Sequence, residues 1–238
     1  MRVLISPAKT FAQTDEPCLS VPAFIDDATR IAALVRELDD RTIMEGMRLS
    51  ASLLAKTKAY YSTFGQTRSP ALMTYDGVAF KAFRKEPMTQ ATRDKAQDKL
   101  VILSGLYGAL RPFDCISPYR LEMKDRTVMN LDSYWKPKIS DYLAYTTGDG
   151  VIFNACSAEY SHVTKDISGL VTLRFVDQRS GRALPSVFQK TMRGLIARRI
   201  VDLESDDPGD VRALRIDGFA HDPERSDAST WVFSGRTP

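Results

Sequence analysis

Leu100-Val101-Ile102-Leu103, stopped by Ser104-Gly105, decides the fold reading: four consecutive apolar residues closed by a turn signal describe a buried strand. Val151-Ile152-Phe153, running into Asn154-Ala155-Cys156-Ser157, repeats the design, and Val3-Leu4-Ile5, stopped by Ser6-Pro7, is an N-terminal version of it. Val171 to Val176 alternates as a further strand. Helical spacing separates these runs. Ala28, Ile31, Ala32, Val35 and Leu38 predict a helix capped by Asp26 or Asp27. Thr42 and Glu45 form a capping-box pair for a short helix through Met47. Ser50 caps a third helix with Leu53, Leu54, Tyr61 and Phe64, and Leu49 with Leu54 has the spacing of a hydrophobic staple. Ser133 to Tyr145 and Phe188 to Leu203 complete the set. Thr10 to Pro22 reads as loop and Asp206 to Asp210 as a surface turn. Strands alternating with helices predict an α/β (α+β) single domain spanning residues 1–238, a mixed central sheet flanked by helices.

Composition narrows the function classes. The chain has 238 residues, 43% hydrophobic and 26% charged, which excludes disordered and fibrous classes. No run approaches the ~18 apolar residues of a spanning helix, and the apolar start is too short for a signal-peptide core, so no membrane role is expected. Three cysteines (Cys18, Cys115, Cys156) at unrelated spacings argue for reduced thiols in a cytoplasmic protein, here expected to be monomeric. The net charge of +3 is unevenly spread: the last 39 residues carry −5 and the remainder +8. A basic body with an acidic tail suits a phosphate-bearing or polyanionic partner, or simply a solvated mixed surface.

The sequence has no GxGxxG, P-loop, HExxH, CxxC or GxSxG. His162 and His221 stand far apart, and neither a metal nor a cofactor is expected. Three strand ends are instead rich in polar groups: Ser6-Pro7-Ala8-Lys9-Thr10, the SGLYGALRPFD run from Ser104 to Asp114, and NACSAEY from Asn154 to Tyr160. Ligands gather at the carboxyl ends of parallel strands, so these loops are expected to meet in one cleft. Gly105 and Gly108 would admit a phosphate or merely make a turn, with Arg111 nearby for charge. Arg120 and Glu122 of PYRLEM (Pro118–Met123) share a face if extended: an ion pair, or a guanidinium positioned for an anion. Cys156 reads as packing. In the late helix, Lys190, Arg193 and Arg198 fall opposite Phe188, Met192 and Leu195, and Arg199 must snorkel or pair. The tight Arg48-Leu49-Ser50 connection exposes the start of the next helix to phosphate, with Arg48, Lys56 and Lys58 adding charge.

SPAKT (Ser6–Thr10), LSGLYGALRPFD (Leu103–Asp114), PYRLEM, NACSAEY and KTMRGLIARRI (Lys190–Ile200) resemble, in order, the signature blocks of the YaaA family. The resemblance implies a bacterial peroxide-stress protein that limits free iron and oxidative DNA damage. It also implies DNA binding, duplex or damaged, through a basic cleft and a helix-hairpin-helix-like element. Carried over by motif, the cleft residues are Lys9, Arg111, Arg120, Glu122, Asn154, Ser157, Glu159, Tyr160, Lys190, Arg193 and Arg198. Arg48, Ser50 and Lys56 would supply the hairpin's phosphate contacts, although the hairpin lacks the usual G-x-G. Tyr75-Asp76-Gly77-Val78 departs from the family's F-K-G-D. No catalytic residue is implied. The residues leave a second class open: an enzyme acting on a nucleotide, nucleoside or nucleic-acid base, because Glu122, Glu159 and Asn154 suit chemistry better than charge neutralisation.

Overall fold

A computed structural model describes residues 1–236. In chain order the elements are β1 (Arg2–Ile5), α1 (Ile25–Arg36), α2 (Asp40–Met47), α3 (Ala51–Ser62), β2 (Ser69–Pro70), α4 (Ala71–Thr74), α5 (Val78–Phe83) and α6 (Gln90–Lys99). There follow β3 (Leu100–Ser104), β4 (Gly108–Leu110), β5 (Cys115–Ile116), α7 (Leu131–Thr147), β6 (Ile152–Asn154), α8 (Ala158–Ser161) and β7 (Leu170–Asp177). The chain closes with α9 (Ser186–Asp202), α10 (Pro208–Ala213), β8 (Arg215–Ile216), β9 (Phe219–His221) and β10 (Thr230–Gly235).

The fold is α/β. An eight-stranded sheet runs β4-β3-β1-β6-β7-β10-β9-β8. Its middle, β3-β1-β6-β7-β10, is parallel, and β4, β9 and β8 add antiparallel edges. The apolar runs are the buried centre: Val3, Leu4 and Ile5, all of β3, and Ile152 to Asn154 are inaccessible to solvent or nearly so. After β1 the chain adds β3 on one side and β6 on the other, so β1 is the point where the winding reverses. Crevices at the carboxyl end of such a strand are where ligands bind in open α/β sheets.

Local chemistry corrects several element boundaries. Phe24, with no side-chain cap, precedes α1, and Asp26 and Asp27 lie inside its first turn. Asp39 caps α2 by accepting the Thr42 N–H at 2.9 Å, while Glu45 pairs with Arg41. Ser50 does cap α3, accepting the Leu53 N–H, and Leu49 and Leu54 are both buried. Pro208 opens α10 behind the Asp207 cap, where a surface turn was expected. The acidic tail folds back on the basic body, where Lys95 pairs with Glu204 and Lys99 with Asp206, while Arg198 and Asp202 pair one turn apart within α9.

The expectation of three reduced thiols is also corrected. Cys18 and Cys115 are bonded, with Cα atoms 5.3 Å apart, across 97 residues of sequence. Sequence spacing could not show this, because the loop preceding α1 reaches β5 only through the fold: Ser20 bridges Asp114, and the Cys115 N–H donates to the Ser20 carbonyl at 2.9 Å. Cys156 is free and buried, as its reading as packing required.

Helix α9 packs against β1 and α5, and its buried residues run from Met192 to Val201. A methyl group on Gly194 would stand 2.0 Å from the Ala79 carbonyl oxygen, so the glycine of the K-x-x-R-G block sets the distance between α9 and α5. Gly194→Ala is therefore expected to force the two helices apart and cost about 1–3 kcal/mol. Thermal melting should show the midpoint falling by roughly 3–10 °C in a chain of this size; an unchanged midpoint would mean that α5 yields without cost.

Candidate functional site

Two of the three polar strand ends converge, those of β1 and β6; the Ser104–Asp114 run after β3, expected in the same cleft, lines none of its walls. Ser6-Pro7-Ala8-Lys9-Thr10 leaves β1, Ala155 to Tyr160 leaves β6, and Asp76 to Lys81 together with Lys190 and Arg193 close the other walls of a cavity of about 510 Å³. A contiguous smaller cleft brings Lys9 and Tyr160 against Arg120 and Glu122. On the far side of Glu159 lies a third hollow of about 230 Å³, edged by Lys124, Arg126, Asp132 and His162. Another cavity, of about 310 Å³ between α1, α2 and α3, has mainly apolar walls and holds none of the strand-end residues.

A charge cluster stands where the first two cavities meet. Lys9 is bonded to Glu122, whose Oε1 also lies 3.2 Å from Arg120. Lys124 spans Glu122 and Glu159, at 4.0 and 3.8 Å. Burial alone would raise Glu122, but the hydrogen bond and charge of Lys9, followed by Arg120, outweigh it and hold that carboxyl below its usual value. Glu159 moves the other way: burial first, then the negative charge of Glu122 beside it, push its carboxyl up. Its Oε1 is buried with no donor. Two adjacent carboxyls thus have opposed affinities for a proton, the arrangement that lets one be ionised while its neighbour keeps its hydrogen.

The backbone around them is fixed. A methyl group on Gly105 would meet the Leu121 carbonyl oxygen at 2.6 Å, so this glycine lets the PYRLEM segment lie directly on the turn after β3. Gly108, at φ +69°, faces the Trp135 ring at a similar distance. Both glycines serve packing; neither cradles a phosphate. The Tyr61 hydroxyl donates to the Arg120 carbonyl at 3.0 Å, and the Glu122 N–H donates to Asp125 at 2.6 Å. Across the cavity, the Ser157 N–H donates to Ser6 Oγ at 2.8 Å, tying the loops after β1 and β6 together.

The carried-over residues divide. Lys9, Arg120, Glu122, Ser157, Glu159, Tyr160, Lys190 and Arg193 line the cavities. Asn154 lies beneath them: its side chain accepts the Cys156 N–H and donates to Ser161 Oγ, each at 3.0 Å, and so shapes the turn after β6. Arg111 does not belong. The antiparallel return of β4 carries it away from the strand carboxyl ends, and it binds Asp114. Arg198 does not belong either. It is buried, paired with Asp202, and donates to the carbonyls of Phe83, Glu86 and Pro87. The facial reading of α9 is corrected here: the side assigned to Arg198 carries the buried Gly194, Ala197 and Val201, and Arg198 lies eight residues from Lys190, roughly 12 Å along the axis. Arg199, expected on the apolar side, is exposed and pairs with Glu86 at the surface. Arg48, Ser50 and Lys56 are exposed on the α2–α3 hairpin, outside the three cavities at the strand ends.

One wall was missed. Tyr75-Asp76-Gly77-Val78 departs from the family pattern, yet Asp76 and Lys81, 3.2 Å apart, edge the main cavity. The Thr10 hydroxyl donates to the Asp76 carbonyl at 2.7 Å, and a methyl group on Gly77 would meet Ala8 at 2.7 Å. The legible signal was the Asp-Gly pair, which marks a break between elements, and Gly77 is the N-cap of α5.

A profile of the family described as "Peroxide stress protein YaaA" matches residues 1–225. The chain belongs to the YaaA peroxide stress family. Relatives include a UPF0246 protein of Rhizorhabdus wittichii, 35% identical over 98% of both chains, and one of Cereibacter sphaeroides, 33% identical with the same coverage. A third, from Burkholderia cenocepacia, is 31% identical over 99% of each chain. No helix among the described residues is long and apolar enough to cross a membrane.

The carboxyl pair has a thermodynamic signature. A carboxyl whose folded value lies above its unfolded one weakens the fold as pH rises past the unfolded value, because only the unfolded chain ionises freely there. Glu159→Gln removes that penalty. Thermal melts should place the variant above wild type near pH 7.5, with the gap closing toward about pH 4, the unfolded carboxyl's own range. A gap that does not change with pH would contradict the raised value.

Proposed function

We propose that this member of the YaaA family is a peroxide-stress enzyme acting on a nucleotide, nucleoside or nucleic-acid base held in the strand-end cleft, with Glu122 and Glu159 handling the proton. The observation that carries this reading is the opposed pair. Glu122, whose affinity for a proton is lowered by Lys9 and Arg120, suits a base or a stabiliser of positive charge; Glu159, whose affinity is raised by burial and the Glu122 charge, suits an acid. A cavity of about 510 Å³ is of the size that encloses a small molecule, not a duplex. Pro7, Val78, Phe80 and Tyr160 offer an apolar wall for a base, and Lys190 and Arg193 offer charge for a phosphate. On this reading any effect on free iron or DNA damage lies downstream of the reaction.

Calorimetric titration of the full chain with 5′-mononucleotides, nucleosides and free bases tests it. A nucleotide is expected to bind, and Arg193→Ala to weaken it by about tenfold or more, the loss of one charge-assisted phosphate contact. Glu159→Gln should keep binding and lower turnover about 10²- to 10⁴-fold. Failure of every member of the panel to bind would end this proposal.

One observation favours the second reading, non-specific DNA binding. Helix α3 opens at Ser50 with no acidic residue in its first turn, beside the exposed Arg48 in left-handed conformation, and carries the exposed Lys56 farther along. Such a helix start attracts phosphate. If duplex DNA, intact or damaged, docks there, Arg48→Ala with Lys56→Ala should flatten the salt dependence of binding by about two units, equally for unrelated sequences. An unchanged slope with a folded variant would remove the hairpin from any DNA surface.

A further inference from the structure

We propose that Cys18 and Cys115 form a peroxide-responsive dithiol, closed to a disulfide in the folded chain by a peroxide and reopened by thiol reductants. The two sulfurs are bonded here, and what brings them together does not depend on that bond. The Leu19 N–H donates to the Phe113 carbonyl at 3.0 Å and the Cys115 N–H to the Ser20 carbonyl at 2.9 Å. Ser20 Oγ donates to the Asp114 carboxylate and accepts from Gln97 at 2.9 Å. Reduced thiols would therefore stay within bonding range, and closure needs no search through chain conformations.

Both cysteines are half-exposed, so peroxide and reductant reach them. Cys156 makes the internal contrast: it is buried, and burial pushes its thiol up to about 12, which leaves it unreactive. The chemistry balances with a peroxide as oxidant. The thiolate of one cysteine attacks the O–O bond, forming a sulfenic acid and releasing water. The second sulfur then attacks the first, the S–O bond breaks, and a second water leaves with the remaining thiol proton. Two thiols lose two electrons and the peroxide gains them.

The bond closes a loop of 97 residues of sequence separation and locks the strap that runs from Thr10, at the cleft, to the start of α1. Along that strap the Ala12 N–H donates to the Thr74 carbonyl, and Glu16 pairs with Arg93. Oxidation consequently hardens the chain under the condition that names its family. The inference stands apart from the nucleotide reading, since it concerns different residues.

Reduced full-length protein, freed of reductant, is treated with one equivalent of hydrogen peroxide, and thiols are counted after denaturation. The count is expected to fall from three to one, with the chain still monomeric on a non-reducing gel. The thermal midpoint should rise by about 10 °C, as closing so long a loop implies, and a thiol reductant should reverse both changes. Cys18→Ser and Cys115→Ser, each tested separately, should show no peroxide-dependent rise. Three thiols surviving the equivalent of peroxide, crosslinking between chains, or an unchanged midpoint in the oxidised wild type would each overturn the proposal.

Discussion

The contact on which the site depends is between two pieces of backbone. Leu121 and Glu122 press against Gly105 so closely that any side chain there would collide with a carbonyl oxygen. That contact hangs the PYRLEM segment from the end of β3, and β3 is register-locked to β1, so the Glu122 carboxylate is delivered beside the Lys9 that leaves β1. Tyr61 holds the same segment from the other side through the Arg120 carbonyl. A carboxylate and a guanidinium from one stretch and an ammonium from another thus meet because one methyl group is missing. Positions this constrained suit preorganised chemistry better than a surface that merely attracts charge.

The parts of this architecture that were legible in the sequence are those ruled by local apolar pattern. Leu100 to Leu103 and Val151 to Phe153 could be little else than buried strands, and the long helices around Trp135 and Ile196 followed from spacing. Lys9 and Glu159 followed from asking where strands end, whereas Glu122 came from the PYRLEM segment and Arg193 from the basic residues of the late helix. What was not legible depended on direction and distance. Arg111 was misplaced because a three-residue strand, Gly108–Leu110, turns the chain around. Arg198 was misplaced because an angular count shows neither the position along the axis nor what packs on the counted face, here the carbonyls of Phe83, Glu86 and Pro87. The Cys18–Cys115 bond joins segments that only the folded sheet brings together, and no spacing rule could contain it.

Charge shows the same limit of sequence arithmetic. A basic body and an acidic tail looked like a surface awaiting a polyanion, but part of the tail is the body's own counterion. Lys95 and Lys99 are taken by Glu204 and Asp206, and the amino terminus also pairs with Asp206. The uneven distribution is thus in part a docking device for the segment after α9. Cations left facing a cavity, Lys190 and Arg193 among them, stand at the cleft, where a small ligand is the natural partner.

Beneath the charged residues runs a second polar layer whose hydrogen-bond direction can be derived. Ser104 Oγ accepts the N–H groups of Leu106 and Tyr107, which occupies its lone pairs. Its own hydrogen must then go to the Tyr119 hydroxyl at 2.7 Å, and Tyr119 in turn donates to Tyr75 at 2.7 Å. The phenols are buried and pushed upward, Tyr119 to about 12, by that burial, so none ionises near neutrality. They stand in the one protonation state that completes the chain, and a charge there would repel Glu122 and Glu159 above. The floor of the cleft is therefore neutral, which leaves proton exchange to the carboxyls at this junction: Glu122, Glu159 and Asp125, the last also pushed upward by burial.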